Sequence, residues 1–132
     1  MAGSVFSKII NGEIPCFKIA ENDLFLAFLD IEPLRKGHVL VVPKQEVDKF
    51  YEADEAYLQN WMSFAKPIAL AMEKCFDCKR IGMSIIGLEV PHAHMHLVPI
   101  SSANDLNFTQ KPFAPTRAEL EEIQSLILSK LR

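Results

Sequence analysis

Three of the chain's four histidines fall in one five-residue window, His92-Ala-His94-Met-His96. Such a window is expected about 0.001 times in a shuffled chain of this composition. A single histidine reads most simply as a satisfied core or surface imidazole; three at i, i+2 and i+4 do not. In a strand that spacing sends all three imidazoles to one face, roughly 7 Å apart along the chain. Met95 and Leu97 then turn the other way, into apolar packing. A row of imidazoles gives up core burial, so it marks a site.

Two chemistries use such a row. Two histidines at i, i+2 can share a Zn²⁺ with a third ligand, and Glu89 is a nearby carboxylate. Alternatively, a neutral imidazole, with a pKa of about 6.5, attacks phosphorus without being repelled by phosphate oxygens. Its phosphoramidate adduct is labile, so one hard displacement becomes two easier ones. Neighbouring imidazoles orient the nucleophile and, when protonated, donate to the phosphate oxygens. With His94 neutral and His96 charged, the rate is expected to be bell-shaped around neutrality.

The elements that hold these residues follow from hydropathy and punctuation. Phe6, Ile9 and Ile10 share a face of a short helix that stops at Asn11-Gly12. Phe17–Ala20 and Leu24–Leu29 read as strands split by Glu21-Asn22-Asp23, with Leu24, Leu26, Phe28 and Asp30 on one face. His38–Pro43 is apolar on both faces apart from His38, which predicts a central strand and a buried imidazole in need of a partner. Asp54 is placed to cap a helix to about Lys74, with Leu58, Trp61, Met62, Ala65, Ala69 and Met72 as its buried stripe and Pro67 as a kink. Strands follow at Ile81–Ile86 and about His92–Ile100. A polar loop, Ser101–Pro115, then leads to a helix opened by the capping box Thr116-Arg-Ala-Glu119. Strands in runs with irregularly interposed helices predict an α+β fold with a mainly antiparallel sheet.

At 132 residues the chain is one domain, residues 1–132, large enough to fold without disulfides. Its net charge of -3 and the lack of a Lys/Arg cluster argue against gripping a long nucleic acid. Three cysteines, an odd count, predict reduced thiols, and Cys75-Phe-Asp-Cys78 has no second pair at zinc-finger spacing. No apolar run approaches the ~20 residues of a membrane span, and the start lacks a secretory pattern. The protein is therefore expected to be soluble and cytoplasmic, with no membrane partner.

His92-Ala-His94-Met-His96-Leu-Val-Pro99 resembles the signature of the histidine-triad (HIT) superfamily of nucleotide hydrolases and transferases. The likeness extends through Phe6-Ser-Lys-Ile-Ile-Asn-Gly-Glu-Ile-Pro15, Leu26-Ala-Phe-Leu-Asp30-Ile-Glu-Pro33 and Gly37-His38-Val-Leu-Val-Val-Pro43-Lys44, about residues 5–100, leaving 101–132 as an extension. The resemblance implies a HIT-like fold, a homodimer, and a cleft for a nucleoside monophosphate. It assigns His94 as the nucleophile, His96 as the phosphate contact, and His92 and His38 as the pair orienting the nucleophile. Asp30 matches the ribose-binding carboxylate, and Phe6, Ile9, Ile14, Phe28 and Ile31 match apolar positions around the base.

Departures from the family pattern modify these expectations. Leu88 and Glu89 stand where a Gln and a hydroxyl commonly contact the phosphate and leaving group, which implies an altered leaving-group preference. Ser4 and Ser7 replace the zinc-binding cysteines of some members, and Glu46 replaces a further histidine, which implies no structural zinc. His96 stands where the uridylyltransferase branch typically has Gln, which points to a hydrolase. The resulting expectation is an enzyme that needs no cofactor and cleaves an adenosine nucleotide derivative at its α-phosphate through a nucleotidyl-His94 intermediate. The substrate would be a phosphoramidate, an acyl-adenylate or a dinucleoside polyphosphate. Two alternatives are a non-catalytic nucleotide sensor on the same scaffold and a zinc hydrolase ligated by His92, His94 and His96.

Overall fold

The N-terminal apolar residues form a six-residue helix, α1 (Val5–Ile10), in the computed structural model, which describes residues 3–110 and 113–131. Ser4 caps it by accepting from the Ser7 amide, and Asn11 ends it, followed by Gly12 at φ +81°. Strands β1 (Lys18–Glu21) and β2 (Phe25–Leu29) follow as a hairpin. The side chain of Asn22 holds its turn by accepting from the amides of Leu24 and Phe25. With β3 (Val39–Pro43), β4 (Arg80–Ser84) and β5 (Met95–Ile100) they make one antiparallel sheet in the order β1-β2-β3-β5-β4. The strand expected to be central is central.

Both faces of the sheet are covered, so every residue of β2 is buried rather than one face alone. Helices α2 (Glu55–Cys75) and α3 (Arg117–Lys130) supply the apolar partners of Phe25, Ala27, Val39, Val41, Met95 and Leu97 on one face. The opposite face buries Leu26, Phe28, Leu40 and Val42 under Phe6 of α1. Cross-strand register puts Phe28, Leu40 and His96 in one row on that face.

α2 is rotated from the expected stripe. Trp61, Ala65, Ile68, Ala71 and Met72 are buried, whereas Met62 is 60% exposed. The larger Trp61 takes the inward position, where its indole N–H donates to the Val41 carbonyl at 3.3 Å. Asp54 occupies the N-cap position without a side-chain cap bond, and the helix runs unbroken through Pro67. Ser63, whose carbonyl loses its intrahelical donor there, is exposed, where water can satisfy it.

The predicted capping box of α3 is present, with reciprocal bonds between Thr116 and Glu119. Leu120, Ile123 and Ile127 join the core, and the Gln124 amide donates to the Lys18 carbonyl on β1. The final helix is thus a packing element of the domain. In the loop before it, Lys111 and Pro112 lie outside the described residues, as do the terminal Met1, Ala2 and Arg132 of the expected domain span. No helix among the described residues is long and apolar enough to cross a membrane. Cys16, Cys75 and Cys78 are free thiols.

Candidate active site

Of the three clustered histidines only His96 lies in a strand. β5 begins at Met95, and His92-Ala-His94 approaches it as irregular chain. The cause is backbone pairing: the Ala93 amide donates to the Val47 carbonyl, beyond the end of β3. The single-face row expected from an extended strand is therefore broken. The imidazoles still gather, with ring centroids of His94 and His96 4.7 Å apart and those of His38 and His96 5.1 Å apart.

The hydrogen bonds decide which nitrogen of each ring carries the proton. A backbone amide only donates, so the Leu34 N–H at 3.0 Å makes His38 Nδ1 an acceptor. His38 Nε2–H then donates to His96 Nδ1 at 2.9 Å, which leaves the proton of His96 on Nε2. His94 Nδ1–H donates to the His92 carbonyl at 2.8 Å, leaving a lone pair on His94 Nε2. The ring of His92 donates from Nε2 to the Pro43 carbonyl at 2.8 Å and accepts at Nδ1 from the Ser4 hydroxyl at 2.8 Å. His38 is thus hydrogen-bonded directly to His96, whose ring packs on that of His94. His92 meets His94 through its backbone carbonyl.

Burial keeps these rings neutral. Desolvation, with repulsion from the neighbouring imidazoles second, drives His38 and His96 down to about 3. Desolvation also lowers His92 and His94 below the usual imidazole value. Burial and the neighbouring imidazoles disfavour a charged His96, the state on which the expected bell-shaped profile rests.

A cavity of about 330 Å³ opens beside the triad. Its walls include Phe6, Ile9, Ile14, Phe28, Ile31, Asp30, Glu89, His94 and His96, so all seven residues assigned to the nucleotide meet in one place. His92 and His38 stand behind it and do not line it. Cys16, Phe17, Leu40 and Val90 also line it, and nothing in their sequence spacing marks them out. Leu88 does not line it and is 89% exposed, whereas Glu89 faces it. Asp30 is pushed up to about 6, chiefly by burial and further by the charges of Glu32 and Glu89, against a lowering bond from the Glu32 amide.

Among the described residues two clusters invite a metal, and the donor chemistry of neither suits one. Asp30, His38 and His96 place one ligand atom each within 4.8 Å of one another. With Nδ1 engaged by Leu34, His38 could ligate only through Nε2, which would have to give up its proton and leave an imidazolate. His92, with both ring nitrogens occupied, is not part of any such group among the described residues. The other cluster joins Ser4, Ser7, Glu46 and His92. Glu46 accepts from the Ser4 amide at 2.7 Å and from the Ser7 hydroxyl, and those bonds hold its carboxyl below the usual range. Two hydroxyls and a carboxylate that already satisfy one another are a poor donor set for zinc, which favours thiolate and imidazole.

The sheet and the histidine triad define the architecture of a known family. The chain belongs to the HIT family: it matches the HIT domain over residues 11–103. It is 38% identical over 99 residues to the adenosine 5'-monophosphoramidase HNT1 of Saccharomyces cerevisiae, covering 74% of this chain and 63% of that protein. Among solved structures, it resembles a Hit-like protein involved in cell-cycle regulation from Bartonella henselae, with TM-score 0.84 and 28% identity over 96% of this chain and 95% of that one. A Zn-bound histidine triad family protein from Mycobacterium smegmatis has TM-score 0.81 and 28% identity, over 96% and 91% of the two chains. These likenesses confirm the α+β fold with its antiparallel sheet.

Proposed function

We propose that the protein hydrolyses an adenosine nucleotide derivative at its α-phosphate through a nucleotidyl-His94 intermediate and without a metal. The observation that carries this reading is the pair of tautomers at the cavity wall. His94 offers a lone pair on Nε2 and His96 a proton on Nε2, and neither atom has a protein partner among the described residues. His94 Nε2 attacks phosphorus, a P–N bond forms, and the leaving group departs with the electron pair of its own bond to phosphorus. His96 Nε2–H donates to a phosphate oxygen as charge develops there. Water then attacks phosphorus and the P–N bond breaks, returning His94 to neutrality. Over the cycle the proton given up by water ends on the leaving group.

Asp30, at the cavity edge, suits a ribose diol, and the apolar walls from Phe6 to Phe28 suit a base. The leaving group is an amine, an acyl group or a phosphate chain; the activity named for the yeast relative favours the amine. The test is intact-mass spectrometry under basic denaturation after mixing with adenosine phosphoramidates, acyl-adenylates and dinucleoside polyphosphates, with EDTA present. An adenylyl adduct on wild type and none on His94→Ala is the expected result. Nucleotide binding with neither adduct nor product would make the protein a nucleotide-binding sensor instead, and product lost only with EDTA would make it metal-dependent.

The same reading includes a homodimer. Met62, Leu70 and Met83 are 60%, 51% and 42% exposed, and all three line a groove of about 680 Å³ between α2 and the sheet-edge strand β4. An apolar groove beside an unpaired strand edge suits a second copy of the chain. Sedimentation analysis is expected to give a dimer for wild type and a monomer for Met62→Glu/Met83→Lys; a wild-type monomer at tens of micromolar would remove the dimer from this reading.

A further inference from the structure

The segment after β5 lies largely outside the matched HIT domain, yet it reaches the triad. A one-turn 3₁₀ helix, Ala103–Leu106, turns the chain back, and Phe108 then lands on the histidines. Its ring sits 4.6 Å from that of His96, at 62° between planes, and 6.3 Å from that of His38. We propose that Phe108 is a positioning residue: it seals the outer side of the His38–His96 pair and holds the His96 ring so that Nε2–H faces the cavity. This inference rests on the hydrolase reading above for its kinetic consequences, though not for its geometry.

The segment is held in place by named bonds. Asp105 Oδ1 accepts from Arg35 Nε at 2.9 Å and Nη2 at 2.7 Å, while Oδ2 accepts from the amides of Ser101 and Ser102. Arg35 Nη1 donates to Gln110 Oε1 at 3.1 Å, and Gln110 Nε2 donates to the Asn104 carbonyl at 2.9 Å. Arg35 directly follows Leu34, whose amide sets the tautomer of His38. One arginine thus ties the loop that orients His38 to the segment that carries Phe108. On the other side Leu106 seats against Gly82 of β4, where an added Cβ would lie 2.7 Å from Leu106 Cδ1.

Among the described residues the groups facing the His38–His96 pair are His94, Asp30 and Phe108, with Glu32 and Glu89 on the cavity wall and the Arg35–Asp105 pair holding the segment that carries Phe108. With no cation among the described residues pressed on the rings and both rings buried, the neutral His38–His96 bond is the stable state. Phe108→Ala opens that side to water, so His96 gains access to its charged form and its ring gains rotational freedom.

The experiment compares full-length wild type, Phe108→Ala, Phe108→Leu and Asp105→Asn, with thermal melting confirming that each is folded. Nitrogen-15 NMR of the histidine side chains reads tautomer and titration without needing turnover. In wild type, His96 is expected to stay neutral with its proton on Nε2 down to pH 5. In Phe108→Ala it should titrate within the pH 5–7 range, and kcat on an adenosine phosphoramidate should fall roughly tenfold with KM little changed. Phe108→Leu, which restores an apolar cover, should recover most of both, and Asp105→Asn should fall between. An unchanged His96 titration and tautomer in folded Phe108→Ala overturns the proposal. An inactive wild type whose His96 responds as described would overturn the hydrolase reading and leave the role of Phe108 standing.

Discussion

Burial moves Asp30 and the histidines in opposite directions, the carboxyl up and the imidazoles down. His94 must be neutral to attack, and burial lowers its pKa, so its acid limb in kcat falls below the usual imidazole value. On the proposed mechanism His96 donates while neutral and so contributes no alkaline limb. The expected profile of kcat is a single step that rises with pH and stays flat to pH 9. A fall in kcat between pH 7 and 9, with chemistry rate-limiting, would contradict the neutral-donor assignment. On the same proposal Asp30, raised to about 6, binds the ribose best as a carboxylate, so KM should rise as pH drops through 6. Asp30→Asn should raise KM at neutral pH and abolish that dependence.

Among the elements, the loop between β2 and β3 is the most sensitive, since Asp30, Leu34, Arg35 and His38 all lie in or beside it. Gly37 makes its last turn at φ +92°, and a Cβ there would lie 2.3 Å from the Phe76 ring. Gly37→Ala thus forces both an unfavourable backbone conformation and a displacement of Phe76. The conformational part alone costs about 1–3 kcal/mol. An unfolding free energy lowered by at least that much, with a correspondingly lower urea midpoint, is expected, together with a His38 that no longer accepts from Leu34. A midpoint unchanged from wild type would show that the turn relaxes freely. The α2 rotation belongs to this scale too: helical periodicity locates a buried face to within one residue, and the indole bond to Val41 chose Trp61 over Met62.

For the whole molecule, proton linkage predicts acid sensitivity. His38 and His96 are lowered to about 3, with His92 and His94 also lowered, so between pH 3 and 6.5 the unfolded chain binds more protons than the native one. Stability therefore rises with pH across that window. Asp30 opposes this between about 4 and 6, where the native state holds its proton and the unfolded state has lost it, but it is one group against several. Urea midpoints should climb from pH 4 to 6.5 and then level off. A flat or falling series over that range would mean that the histidines are hydrated in the native state.

Much of the molecule was legible in the residues themselves. Strand and helix periods, the Asn11-Gly12 stop and the Thr116–Glu119 box are local signals, each set by a residue's own conformational or hydrogen-bonding preference. The cluster His92, His94, His96 announced a site because imidazoles so closely spaced have no packing purpose, and resemblance drew Asp30, Phe6 and Glu89 to the same cavity. What the sequence could not decide was pairing across the fold. Whether His38 orients His94 or His96, and whether His96 is charged or neutral, depend on which carbonyl or amide meets each ring nitrogen and on how much water remains. The Ser4–His92 and His38–His96 hydrogen bonds join residues 88 and 58 positions apart. Only tertiary packing brings them into contact. Proton positions follow from those contacts, and the chemistry follows from the proton positions.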